Sequence, residues 1–213
     1  MKNPQWRHDK QTFCNVCIAI ILIIVSFGCR HLGLRKSIQS LPLGSKAYFQ
    51  IFPPIHFHPP IDTLYSVTIF HNRKKFQCLL AIESDPEKLV IVGLTPVATR
   101  LFSLTYLNGD ISYEASPEFS LPAPPEFILG ILELMLGPSE IIKANLIGKD
   151  INWVEEASPL ELRQIFKKDL EIVRISYNHS SPSSGKTITL DHYPWRLRVQ
   201  LSDFESLPNE DAL

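Results

Sequence analysis

The sequence predicts an α+β fold that is mainly β: an incomplete antiparallel β-barrel with a short helical lid. Three observations predict it. Apolar and polar residues alternate with period two over most of the chain after residue 61, as strands with one buried face require. One apolar helical stripe and one short helical segment interrupt that alternation. Seventeen prolines against nine glycines cut the chain into short elements. With so few helices as cover, the sheet is expected to curl and bury its apolar face against itself.

The elements follow in order. Tyr65, Val67 and Ile69 alternate with Ser66 and Thr68, and a polar turn over residues 71–75 leads to Phe76, Cys78, Leu80 and Ile82 on one face. Residues 89–94 are apolar on both faces, as in a central strand. Phe102, Leu104 and Tyr106 alternate with Ser103 and Thr105. Asn108-Gly109 then marks a type I′ hairpin into Ile111, Tyr113 and Ala115. Prolines at 122, 124 and 125 break the pattern. Pro125-Glu126 opens a helix whose stripe is Phe127, Ile128, Ile131, Leu132 and Met135, and Gly137-Pro138 ends it. Ser139 is expected to cap a second short helix over residues 139–146. Strands resume after Asp150, with Val173, Ile175 and Tyr177, then Ile188 and Leu190, then Trp195, Leu197, Val199 and Leu201 as inward positions. Residues 51–61 (IFPPIHFHPPI) hold four prolines, which exclude a regular helix or central strand. Ile51, Phe52, Ile55 and Phe57 are expected to cover a core edge; the alternative is a protruding apolar loop that touches membrane or gates a cargo.

The first 28 residues read as an export signal. Lys2, Arg7 and Lys10 precede twelve residues, VCIAIILIIVSF, that are apolar but for Ser26. That length suits the apolar region of a signal peptide and falls short of the roughly 20 residues of a spanning helix. Gly28 and then Cys29 follow. A small residue before a cysteine is what a lipoprotein signal peptidase needs, and the thiol is the nucleophile that takes the diacylglyceryl group. Bacterial lipoproteins usually have Leu and a small residue at the two positions before that; here they are Ser26 and Phe27. An uncleaved inner-membrane anchor and a signal without lipidation are the alternatives. Arg30 in place of Asp after Cys29 favours, by similarity to sorted bacterial lipoproteins, an outer-membrane, periplasm-facing location. The expected organisation is a signal peptide over 1–28, a tether over 29–44, the half-barrel domain over 45–205 and a flexible tail over 206–213.

Charge and cysteine content exclude several classes. Three positive charges against one negative put +2 in the leader, leaving −3 in the rest of a chain with formal net charge −1. No basic face for nucleic acid is expected. Of four cysteines, Cys14 and Cys17 lie in the leader and Cys29 ends it, so only Cys78 remains as an ordinary thiol and no disulfide framework exists. The Cys14–Cys17 CxxC lacks the βαβ setting of a redox motif. His56, His58 and Asp62 resemble part of a zinc site but lack further ligands at useful spacing. Asp191-His192 invites a hydrolytic reading, but no G-x-S-x-G elbow is present. His71, Arg73, Lys74 and Lys75 crowd one turn, either simply solvated or facing anionic head groups.

The segment LVIVGLTPVATRLFSLTYLNGDISYE, residues 89–114, resembles the uncharacterised bacterial lipoprotein family catalogued as domain of unknown function 3261, regarded as related to the LolA and LolB lipoprotein carriers. Leu94-Thr95-Pro96, Arg100-Leu101-Phe102-Ser103-Leu104 and Asn108-Gly109 match its pattern in order, and the likeness runs over about residues 63–202. Ala98 stands where the family tends to have Gly, and Asn108 where it has Asp. If that Gly needs positive φ, the turn at Ala98 is expected to differ.

The resemblance implies a LolA/LolB-like half-barrel whose apolar cavity holds acyl chains or a lipoprotein's lipid moiety for transfer to or within the outer membrane. Partners would be lipid, the membrane through lipidated Cys29, and a periplasmic carrier or inner-membrane exporter. No catalytic residues or cofactor are implied. Phe102, Leu104, Tyr106, Phe127, Ile131, Val173, Ile175, Trp195, Leu197 and Val199 are the expected cavity lining. The competing readings are an accessory lipoprotein that docks a partner complex and carries no lipid, and a periplasmic enzyme.

Overall fold

A computed structural model describes residues 39–44, 46–57, 59–117, 124–156, 161–178 and 186–204. The leader, Cys29, most of the expected tether, His58 and the tail lie outside the described residues.

Ten strands form one antiparallel sheet. The chain enters it at the middle with β3 (Asp62–His71) and runs outward through β4 (Lys74–Ser84), β5 (Lys88–Leu94), β6 (Arg100–Leu107) and β7 (Asp110–Ala115). Two helices follow, α1 (Pro125–Leu136) and α2 (Ser139–Ala144). The chain then re-enters at the opposite edge with β9 (Ile151–Glu156) and returns inward through β10 (Leu162–Lys167), β11 (Leu170–Asn178), β12 (Thr187–His192) and β13 (Leu197–Asp203). β13 pairs with β3 and joins the two meanders at the centre. A smaller sheet is made of β1 (Ser40–Gly44), β2 (Ala47–Gln50) and β8 (Leu146–Ile147). Edges β7 and β9 share no ladder, so the large sheet is open and no barrel closes.

Alternation sets which face is buried. The register aligns Cys78, Val67, Leu201 and Ile188 across four neighbouring strands, and Phe76, Ile69, Val199 and Leu190 in the adjacent row. Val67, Cys78, Leu201, Ile188, Val199 and Leu190 are buried. Instead of curling fully onto itself, the sheet buries this face under a second layer. α1 packs against β7 and β12, β1 against β11, and a 3-10 turn at Pro54–His56 against β5. Leu41, Leu43, Ala47 and Phe49 have no exposed surface. Residues 40–44, expected as the end of a tether, are therefore a core strand. Ile51, Phe52 and Phe57 are buried as well and only Ile55 stands out, which favours the core-edge expectation for that loop over protrusion.

α1 differs from the expected one-sided lid. Beyond the predicted stripe, Leu129, Gly130, Glu133 and Leu134 are buried too. A helix apolar all round belongs inside a core, and here β1 closes its far side. Gly130 makes the approach possible: a Cβ there would lie 2.8 Å from Leu41 Cβ. In the sheet, Gly93 leaves room for the Phe102 ring of the neighbouring strand, since a Cβ would meet that ring at 2.2 Å. Trp195, expected as a strand residue, ends a 3-10 turn (Tyr193–Trp195), and β13 starts only at Leu197, after Arg196 at φ 51°. Ser139 does not cap α2; its hydroxyl is engaged with Glu155 and Arg163.

The turn at Ala98 keeps the left-handed backbone that glycine would favour. Ala98 adopts φ 61°, and its N–H donates to the Thr95 carbonyl at 2.9 Å. Left-handed backbone costs a residue with a Cβ about 1–2 kcal/mol. Ala98→Gly is therefore expected to raise stability by about 1 kcal/mol, read as a higher urea midpoint with unchanged slope; an unchanged or lower midpoint would contradict it.

Candidate functional site: an apolar cleft beneath α1

The second layer leaves a gap over the centre of the sheet. The cleft has a volume of about 100 Å³. Its floor is Val67 and Ile69 of β3, Phe76, Cys78 and Leu80 of β4, Phe102 of β6, and Leu197, Val199 and Leu201 of β13. Its roof is Phe127, Ile128, Ile131 and Leu132 of α1. Burial pushes the Cys78 thiol up to about 11, so at neutral pH it is an uncharged part of the wall.

Five of the ten expected lining residues meet here: Phe102, Phe127, Ile131, Leu197 and Val199. Trp195 is beside them, its ring stacked on Phe127 with centroids 4.3 Å apart and planes 2° apart. Leu104, Tyr106, Val173 and Ile175 are buried but do not line the cleft. Period two identifies the inner face correctly for all of them, but says nothing of where along that face the cover stops. Val67, Ile69, Cys78, Leu80 and Leu201 were readable as inward positions and belong to the wall. Ile128 and Leu132 were on the helical stripe.

The two ends of α1 are held differently. At its C-terminus, carbonyls that no helical turn can satisfy receive side-chain donors from the sheet. Arg163 of β10 donates to the Gly137 carbonyl at 3.0 Å and to the Leu134 carbonyl at 3.4 Å, and Tyr177 Oη donates to the Met135 carbonyl at 2.9 Å. Arg163 also donates to Glu155 at 3.3 Å and Ser139 Oγ at 2.9 Å. Burial pushes Glu155 up, but the Ser139 hydrogen bond and the Arg163 charge outweigh it and hold its carboxyl below the ordinary range. Tyr177, desolvated in the same cluster, is pushed up to about 12. The N-terminus has no side-chain cap; Pro125 occupies the first turn, where a missing N–H costs nothing. There the Phe127–Trp195 stack holds the helix down over the cleft.

In the last turn of α1, Glu133 is fully buried. Its Oε2 accepts the Phe52 N–H at 3.1 Å and ties the proline-rich loop to the helix. Burial raises its pKa well above the ordinary carboxylate range, against the smaller lowering by that hydrogen bond. Sequence reading missed it, although a glutamate amid eleven uncharged or peripheral helix positions is a visible anomaly. Asp191 and His192 are not a catalytic pair, because neighbours on a strand face opposite sides. Asp191 binds Arg198 on the outer face, while His192, with no exposed surface, reaches the Pro42 carbonyl at 3.3 Å on the inner one. Among the described residues no group of three His, Cys, Asp or Glu is placed to hold a metal, and no helix is long and apolar enough to cross a membrane.

The Glu133 linkage gives a pH test. A folded-state pKa raised above the unfolded value stabilises fully below the unfolded pKa and is lost as pH rises toward the folded one. Wild type is expected to lose stability as pH rises above about 4.5, relative to Glu133→Gln, which keeps an acceptor for the Phe52 N–H but cannot ionise. Urea midpoints across that range, compared pairwise, check this. A difference that does not grow with pH refutes a protonated Glu133.

The matched family is described as "Protein of unknown function (DUF3261)", over residues 65–205. No curated protein matches the chain. The match spans about two thirds of the chain, from within β3 to just past β13, and so includes both walls of the cleft but not β1, β2 or the leader. With that coverage, the chain belongs to the DUF3261 family.

Proposed function

We propose that this protein is an exported, non-enzymatic lipoprotein, anchored through Cys29, whose sheet acts as a LolA/LolB-like incomplete barrel that takes an acyl chain between α1 and strands β3, β4 and β13. The observation that carries the reading is the composition of the cleft: aliphatic and aromatic side chains with one neutral thiol, above the middle of an open sheet. Such a wall offers no hydrogen bonds and no charge, so it discriminates for hydrocarbon, whose burial yields roughly 25 cal/mol per Å². α1 supplies the gate. Its C-terminal carbonyls are bolted to β10 and β11, whereas its N-terminal half rests on apolar contacts and the Phe127–Trp195 stack. Lifting that half widens the cleft without breaking a buried ion pair. Cargo would be an acyl chain or a lipoprotein's lipid moiety, handed on by a periplasmic carrier or inner-membrane exporter. Arg30 after Cys29 fits retention at the outer membrane.

One observation favours a second reading. At about 100 Å³ the closed cleft is smaller than the 300–1,000 Å³ of common ligand pockets. A protein that never opens it would be an accessory lipoprotein that works by docking a partner complex.

Native mass spectrometry of the full chain, taken from membranes in mild detergent, separates the two. Co-purifying phospholipid or fatty acid is expected, and added oleate should slow maleimide labelling of Cys78, mapped by peptide, at least about fivefold by filling the cleft. Lipid-free protein with Cys78 labelling indifferent to oleate leaves the docking reading. Independently, Cys29→Ser should abolish incorporation of labelled lipid and free the protein from the membrane; full retention would mean an uncleaved apolar anchor.

A further inference from the structure

We infer that a second concavity, at the ends of β3, β12 and β13, is a binding site for a phosphate group. The groove has a volume of about 360 Å³, within the range of small-ligand sites. It is separate in chemistry from the apolar cleft, sharing only Leu197 with it, and it stands whether or not the cleft takes an acyl chain.

Three arginines line it: Arg73 from the β3–β4 turn, Arg196 from the turn before β13, and Arg198 from β13 itself. The acidic residue in the wall is Asp191, already engaged by Arg198 with N–O distances of 2.7 and 3.2 Å. Nearby Arg174 is likewise taken by Glu171, at 2.8 and 2.9 Å. Among the described residues no carboxylate pairs with Arg73 or Arg196. The wall therefore keeps two uncompensated guanidinium groups facing one hollow, with Lys74 and Lys75 next along β4.

Backbone conformation adds a second argument. Asn72 (φ 48°), Arg73 (φ 67°) and Arg196 (φ 51°) are all left-handed. Glycine is the cheap residue at such positions, and a residue with a Cβ costs about 1–2 kcal/mol more. Two unrelated turns thus place arginine where folding alone favours glycine, and both turns open onto the same groove. Three of the eight non-glycine residues with positive φ among the described residues border this groove, and backbone held in such regions recurs at ligand clamps. Guanidinium is the group best matched to phosphate oxygens, because its parallel N–H donors bind them in pairs. Asn72, whose Nδ2 lies 3.0 Å from His71 Nε2, and the Tyr193 hydroxyl add polar groups to the rim.

The phosphate would be that of a phospholipid head group or of a soluble phosphate ester. Full chain in uncharged detergent, at about 0.15 M salt where unpaired surface charges are screened beyond roughly 8 Å, is titrated calorimetrically with inorganic phosphate, glycerol 3-phosphate and dihexanoyl phosphatidylglycerol. Binding of at least one is expected, and the Arg73→Gly, Arg196→Gly pair should weaken it at least tenfold. Because glycine suits both backbones, the pair should melt no lower than wild type; should it melt lower, Arg73→Gln with Arg196→Gln must show the same loss. Tighter binding of phosphatidylglycerol than of the two soluble probes assigns the site to a head group, and the reverse order to a soluble ester. No binding by any probe, or affinity in both variant pairs within twofold of wild type, overturns the site.

Discussion

A sheet with alternating side chains creates an apolar face as wide as the sheet itself, and a sheet that does not close cannot hide that face in its own interior. Everything else in this molecule answers that constraint. The helical passage from β7 to β9 must cross from one edge to the other, and it crosses over the apolar face. The β1–β2 hairpin then covers what α1 cannot reach. The cleft is the remainder, the part of the central strands where cover is thinnest. Site and fold are thus consequences of one geometric shortage rather than separate features.

Arg163 is what makes a wholly apolar helix a defined structural element. Hydrocarbon contacts are non-directional, so α1 could slide or rotate on the sheet at little cost. A buried guanidinium that binds carbonyls of α1, the α2 hydroxyl of Ser139 and the carboxylate of β9 Glu155 permits one placement only. Leaving that charge unpaired in the core would cost several kcal/mol, and this penalty enforces the register of helix on sheet. The Trp153 and Tyr177 rings flanking it, at 5.9 and 5.2 Å, complete its enclosure.

Much of this was legible beforehand and the remainder was hidden for physical reasons. Strands β3 to β7, the Asn108-Gly109 turn and the start of α1 at Pro125 each carry a local signal, either alternation or turn chemistry, and each is found where that signal stands. β10 is different: LRQIFK places Arg163 on the buried face, and a charged residue masks the period. β1 escaped notice because SLPLG is short, contains proline and glycine, and pairs only with another short strand. Whether the sheet closes depends on β7 meeting β9, a contact between residues some forty apart that no local pattern encodes. For the same reason half the expected lining lies outside the cleft: facing inward is local information, and being left uncovered is not.

The pairing of β3 with β13 joins residues 65–71 to residues 197–203 in the middle of the sheet. Ladders between segments so distant in sequence form late and slowly, since a long loop must close before any hydrogen bond rewards it. A chain is synthesised from the N-terminus onward, so the first meander emerges with the inner flank of β3 bare, its N–H and C=O groups unmatched until the last strand arrives. An unpaired flank in the centre of a nascent sheet invites adhesion to other chains. The assembly order built into this topology therefore makes a waiting period unavoidable, and folding of this chain calls for something to shield that flank until β13 is made.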